Sequence, residues 1–122
     1  MNEENFIFDF EKLTVYQKSI TFSNVVFEIT SQFKQQLQFS LGDQLRRASL
    51  SICNNIAEGS GKIGRSKLQY YAYALNSARE CIPMISICLT QRQIEEKEVK
   101  LLRQKCIDIT SMLFRLIESA KH

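Results

Sequence analysis

Two stretches of this chain repeat apolar residues at alternating intervals of three and four. Leu68, Tyr71, Leu75, Ala78, Ile82, Ile85 and Leu89 form the first, and Val99, Leu102, Cys106, Ile109, Leu113, Leu116 and Ala120 the second. That spacing lines every apolar side chain of a stretch along one side of an α-helix; a strand, with its period of two, would scatter them over both faces. A helix with one apolar seam must bury it against other helices. The chain has 122 residues but only four glycines and one proline, so it lacks the turn residues that a many-stranded sheet consumes. Its length suits one domain.

Two further helices precede these. The first is expected from about Phe10 to Gln36. Its apolar residues cover more than one stripe, so it should have more than one neighbour. Val15, Phe22, Val26 and Ile29 are therefore candidates for an interface between copies, because isolated soluble domains avoid a patch of that kind. A break is expected at Gln38–Ser40, where Ser40 and Asp43 match the S-x-x-D start of a helix. Leu41, Leu45, Ala48, Ile52 and Ile56 then mark the second helix. It should stop at Gly59-Ser60-Gly61, with glycine supplying a left-handed cap. The third helix starts near Gly64–Ser66 and carries Pro83, which should kink it. The fourth spans about Glu95 to Ala120, with Glu95, Glu96 and Glu98 at its positive end. The fold expected is all-α, an antiparallel up-down-up-down four-helix bundle over residues 10–122, after a flexible N-terminal arm over residues 1–9.

Little in the chain resembles catalytic or metal chemistry. The single histidine is His122, the last residue given, so no internal histidine can join a catalytic dyad or a metal site. No E-x-x-H pair is present, which argues against a di-iron bundle. Cys53, Cys81, Cys88 and Cys106 lack zinc spacing and read as small core residues in a reducing, cytoplasmic setting. Gly59-Ser60-Gly61-Lys62 lacks the G-x-x-x-x-G-K-[ST] pattern and the preceding strand of a phosphate loop. The acidic N-terminus has no signal-peptide core, and no apolar run is long enough to span a membrane. The expectation is a non-enzyme with no metal and no cofactor.

Two constellations remain. Asn54-Asn55-Ile56-Ala57-Glu58-Gly59 places two amides and a carboxylate at the end of an apolar helix. Asn55, Glu58 and Gly59 fit a structural motif that satisfies helix-end groups, with a binding role and, last, a catalytic one as the other readings. The second is basic. The net charge is only +3, yet residues 46–67 hold five bases (Arg46, Arg47, Lys62, Arg65, Lys67) and one acid, Glu58. These are the candidate nucleic-acid-binding residues; the alternative is ordinary solvated charge. Arg46–Arg47 and the Lys62 loop stand some 20 Å apart, an estimate at about 1.5 Å of helix rise per residue. They make two basic spots, which an oligomer could align. Tyr70 and Tyr73 share one helix edge beside the second spot, suited to packing, to an interface or to stacking on bases. Residues 1–11, by contrast, hold four acids (Glu3, Glu4, Asp9, Glu11) and no base.

At Gln44-Leu45-Arg46-Arg47-Ala48-Ser49-Leu50-Ser51-Ile52 and Asn55-Ile56-Ala57-Glu58-Gly59 the sequence resembles the four-helix-bundle proteins encoded in intervening sequences of 23S ribosomal RNA genes. That family typically reads Q-x-R-R-A-x-x-S-I-x-x-N-I-A-E-G. Leu13-Thr14-Val15-Tyr16-Gln17-Lys18 and Ala74-Leu75-Asn76-Ser77-Ala78-Arg79-Glu80 match further stretches, with Tyr16 where tryptophan is usual and Asn76 where glycine is common. The resemblance implies an antiparallel bundle that assembles as a homopentamer. A related branch, the accessory proteins of diversity-generating retroelements, binds nucleic acid and a reverse transcriptase. The expected function is therefore an oligomeric module for structured RNA or DNA, in one setting an accessory to a reverse transcriptase. A protein-interaction scaffold without nucleic-acid binding is the alternative.

Overall fold

The computed structural model describes residues 5–121. Residues 1–4 of the arm and His122 lie outside the described residues. A short 3-10 turn, Asp9–Lys12, leads into α1, Thr14–Thr30. A helical turn at Gln35–Leu37 and a π turn at Gln38–Gly42 run directly into α2, Asp43–Ser60. Then come α3, Gly64–Thr90, and α4, Glu96–Ala120. There is no strand among the described residues.

Each helix packs on the next in sequence, and α4 closes the ring on α1, so the order around the bundle is α1–α2–α3–α4. The backbone amide of Lys34, in the first connection, donates to Gln93 Oε1, in the third, at 2.9 Å. Those two loops therefore share one end of the bundle, and the Gly61–Ile63 connection lies at the other. This is the up-down-up-down arrangement the seams require.

The seams point inward. Leu45, Ile52 and Ile56 of α2, Ile85 of α3 and Leu102, Ile109 and Leu113 of α4 are fully buried. Fully burying a side chain of this size stabilises by about 1.5–3 kcal/mol each, which makes the seams the main support of the fold. Small residues let α1 and α2 approach: Ser23 and Ser49 are buried and share a hydrogen bond of 3.1 Å. Among the described residues no buried side-chain nitrogen or oxygen lacks a partner. All four cysteines are free and buried.

The first connection corrects several expectations. α1 ends at Thr30, six residues before the expected Gln36, and the break falls at residues 31–34 instead of Gln38–Ser40. Ser40 does not cap α2, because the backbone is already helical there; Gly42 before Asp43 has φ −59° and ψ −48°. Gln38 explains the shift. Its side-chain amide donates to the carbonyl oxygens of Thr30, 2.8 Å, and Phe33, 3.0 Å, and so satisfies groups freed at the end of α1. At the opposite end the expected left-handed glycine cap is also absent. α2 runs through Gly59 to Ser60, and Gly61 is right-handed with φ −86°. The left-handed glycine is Gly64, φ +59°, where α3 begins. Pro83 lies inside α3, which continues past it to Thr90. At α4 the backbone amide of Glu95 donates to Glu98 Oε1 at 2.8 Å, one half of a capping box.

Burial also reassigns the apolar face of α1. Val15, Phe22 and Val26 are inside the chain's own core, and Ile29 is half-buried against it. Val15, Phe22 and Val26 are not open to a second copy. Residues 15, 22 and 26 share the inward stripe, whereas Ile20 and Phe27, also seven apart, lie on an outward one. That outward stripe is accessible to a neighbouring molecule.

Candidate nucleic-acid interface

The five basic candidates fall at opposite ends of α2 and meet different fates. Arg46 lies on the first turn of α2, beside the π turn. Its Nη2 donates to the Gln38 carbonyl oxygen at 2.6 Å and its Nη1 to Gln38 Oε1 at 3.3 Å. Its guanidinium also sits 6.0 Å from the centre of the Phe27 ring. Arg46 thus secures the segment that links α1 to α2, with two of its five N–H donors committed to Gln38 and its guanidinium held near the Phe27 ring. Arg47, next to it, projects outward, with its side chain 79% exposed and its Nε 3.1 Å from Asp43 one turn earlier. Such an exposed pair opens at little cost.

At the other end Lys62, Arg65 and Lys67 gather where α2 turns into α3. Lys67 donates to the carbonyl oxygen of Ser60 at 3.2 Å and lies over the Tyr71 ring, so it caps the end of α2. Lys62 is 3.8 Å from Glu58 and lies over the Tyr70 ring, 5.7 Å from its centre. Arg65 is exposed, and no hydrogen bond or ion pair engages it among the described residues. Further along α3 Tyr70 and Tyr73 meet edge to face at 5.8 Å, and Gln69 donates to the Tyr73 hydroxyl at 2.6 Å. Tyr73 is exposed, and so is Ile63 in the loop. The corner thus presents two accessible cations, an aromatic edge and an apolar tip.

The Asn55–Gly59 cluster builds this corner. Asn55 Nδ2 donates to the Ser51 carbonyl at 2.9 Å and to Ser51 Oγ at 3.0 Å. Ser51 Oγ shares a 2.8 Å hydrogen bond with Ser77 Oγ of α3, which ties the two helices together. Gly59 is buried under the Tyr71 ring: a Cβ on it would lie 2.6 Å from Tyr71 Cδ1. Close approach, not backbone freedom, demands glycine there. Burial also raises the Tyr71 hydroxyl above its usual pKa, so the phenol stays protonated across neutral pH. Glu58 points outward to Lys62, and Asn54, one turn earlier on the same face of α2, is exposed.

Sequence reading missed two features. One is the use of Arg46 and Lys67 by the fold; a base one turn inside a helix end, beside a glutamine-rich connection, was the available signal. The other is a groove between α3 and α4, lined by Arg79, Ile82, Arg103, Cys106, Ile107, Thr110 and Phe114. Its exposed Ile107 and Phe114 are seven residues apart on α4 and form a second, outward stripe beside the buried seam. Among the described residues no group of three or more histidine, cysteine or acidic side chains is placed to hold a metal ion. No described helix is long and apolar enough to cross a membrane.

The architecture and the corner define the class first: a small antiparallel four-helix bundle whose polar groups at this site tie helices together and leave a basic, aromatic edge exposed. The sequence pattern of the 23S rRNA-intervening sequence proteins matches residues 11–115, and the chain belongs to that family. A solved structure has the same fold: a Bacteroides thetaiotaomicron protein of unknown function from the S23 ribosomal protein family. It superposes with a TM-score of 0.77 at 22% identity, over 85% of this chain and 95% of that one. No curated protein matches the sequence.

Proposed function

We propose that this chain is a non-enzymatic, homo-oligomeric module that binds structured RNA or DNA through the α2–α3 corner, in the cytoplasm. The observation that carries this reading is Lys62, loosely paired with Glu58 and lying over Tyr70, whose ring partner Tyr73 is exposed, with unengaged Arg65 on the first turn of α3. Cations follow the phosphate backbone and an aromatic edge suits unpaired bases, a combination found in binders of looped or single-stranded nucleic acid. A homopentamer, the assembly that family resemblance suggests, would repeat the corner five times and turn a weak spot into a ring of binding sites. An accessory role beside a retroelement reverse transcriptase is the setting that fits such a ring.

The test is a titration of a structured RNA, and of a DNA hairpin of the same sequence, at two salt concentrations. Affinity should fall steeply with salt, because each neutralised phosphate releases a counterion. Absence of binding at low salt would refute the reading.

A protein-interaction scaffold is the second reading, and one feature favours it. Tyr16, Ile20, Asn24, Phe27, Leu50 and Asn54 line an open groove between α1 and α2 with no base in its lining. Capture of a protein partner that survives nuclease treatment and is lost in Phe27→Ser or Leu50→Ser would support it over nucleic-acid binding.

A further inference from the structure

The N-terminal arm and the α3/α4 groove are both unmatched within one chain and are complementary to each other. In the arm, Phe6, Ile7 and Phe8 are about half exposed. Phe6 meets Phe8 edge to face, Phe8 stacks on Phe10, and Phe10 meets Tyr16 of α1 edge to face. This relay of rings holds the arm's root on the α1/α2 side while one face of each outer ring stays open. The arm is also acidic, with Glu3, Glu4, Asp9 and Glu11 and no base before Lys12.

The groove has the opposite character. Ile82, Ile107 and Phe114 supply an apolar floor, flanked by Arg79 and Arg103. No ion pair or hydrogen bond engages either arginine among the described residues. Its volume is about 250 Å³, and a cavity of roughly 150 Å³ already holds a benzene ring. The α1/α2 groove has no base in its lining, so charge favours the α3/α4 groove for an acidic, aromatic segment. Around the bundle the α3/α4 face lies opposite the α1/α2 side on which the arm is rooted.

We infer that the Phe6–Phe8 segment of one copy docks in the α3/α4 groove of the next, the arm's net negative charge complementing Arg79 and Arg103. Two different surfaces on opposite sides meet in this interface, so it is head-to-tail: it forms a ring where its rotation closes and a filament where it does not. The inference rests on the proposal that the chain assembles with itself and assigns the surfaces that do it.

Charge exchange tests it, with assembly of the full chain read by sedimentation velocity over a concentration series. Arg79→Glu with Arg103→Glu should raise the concentration needed for assembly roughly tenfold or more, by placing like charges together. Glu3→Lys, Glu4→Lys and Asp9→Lys together should do the same, as should Phe6→Ser with Phe8→Ser. A chain carrying both charge reversals should assemble again near the wild-type concentration, which a misfolded variant would not do. Wild-type assembly in either charge-reversed chain, or no recovery in the combined chain, overturns the docking but leaves self-assembly standing. A wild-type chain that stays at 14.2 kDa at every concentration overturns self-assembly itself.

Discussion

Arg46 and Arg65 have the same side chain, stand near opposite ends of α2, and do different work. Arg46 donates to both the carbonyl and the side chain of Gln38, at the break between α1 and α2. Arg65 stands in solvent on the first turn of α3, with no partner among the described residues. Counting bases along the sequence treats them as equal. A guanidinium fixed by two hydrogen bonds to Gln38 is held in place by the fold and would have to leave those partners to follow a phosphate, whereas an unengaged one contributes nothing to the fold and is available to a ligand. The candidate interface is thus the α2–α3 corner with Lys62 and Arg65, and the Arg46 end is framework.

Several measurements break or sharpen this contrast. The largest effect is expected from Arg46→Ala. It removes two charge-assisted hydrogen bonds and leaves the Gln38 carbonyl short of its partner, a loss of about 2–3 kcal/mol in urea unfolding. Gly59→Ala attacks the corner's framework. The new methyl would meet the buried Tyr71 ring, and overpacking outweighs the gain in helix propensity for a net loss of about 1–2 kcal/mol. Gly59→Ala combined with Tyr71→Leu should recover part of it.

Alkali should loosen the Arg46 end. Cys88 lies there, its carbonyl accepting from the backbone amide of Gln93, and burial pushes its thiol from 9.0 up to about 11. The folded state therefore holds its proton where the unfolded chain has released it. Stability contributed by this thiol is complete below pH 9 and is lost as pH rises toward 11, about 1.4 kcal/mol at pH 10. Denaturant titrations at pH 8 and 10 on wild type and Cys88→Ala check this, since only wild type should show that share of the loss. Lys67→Ala should cost about 0.5–1 kcal/mol by removing the cap on Ser60. Arg47→Ala should cost less than about 0.5 kcal/mol, because its pair with Asp43 is exposed.

The bundle was legible because its seams on α3 and α4 are long and strictly spaced, and a seven-residue pattern overrides local ambiguity. Helix ends were less so. Ser40 and Asp43 carry the local signature of a helix start, but Gln38 reaches back to Thr30 and Phe33 and keeps that stretch helical. A side chain acting across five and eight residues leaves no trace in a short motif. Gly59 read as a cap for the same reason: nothing local shows that Tyr71, twelve residues on, will cover it. On α1 the mixture of Phe22 with Phe27 hid which stripe faced inward, since both are apolar and only the neighbours decide. The basic cluster was visible as composition. Which of its members are engaged depends on carbonyl groups that only the folded backbone brings within reach.

The most direct test of the contrast measures two properties of two variants. Arg46→Ala and the pair Lys62→Ala with Arg65→Ala are compared for unfolding stability and for binding to one structured RNA, across a salt series and at a temperature where both are folded. The account predicts that Arg46→Ala lowers stability and leaves the slope of log affinity against log salt near the wild-type value. The Lys62/Arg65 pair should keep wild-type stability and make the salt slope shallower by roughly one unit for each phosphate no longer neutralised. Equal weakening of binding in both variants, or a wild-type slope in the Lys62/Arg65 pair, would contradict it.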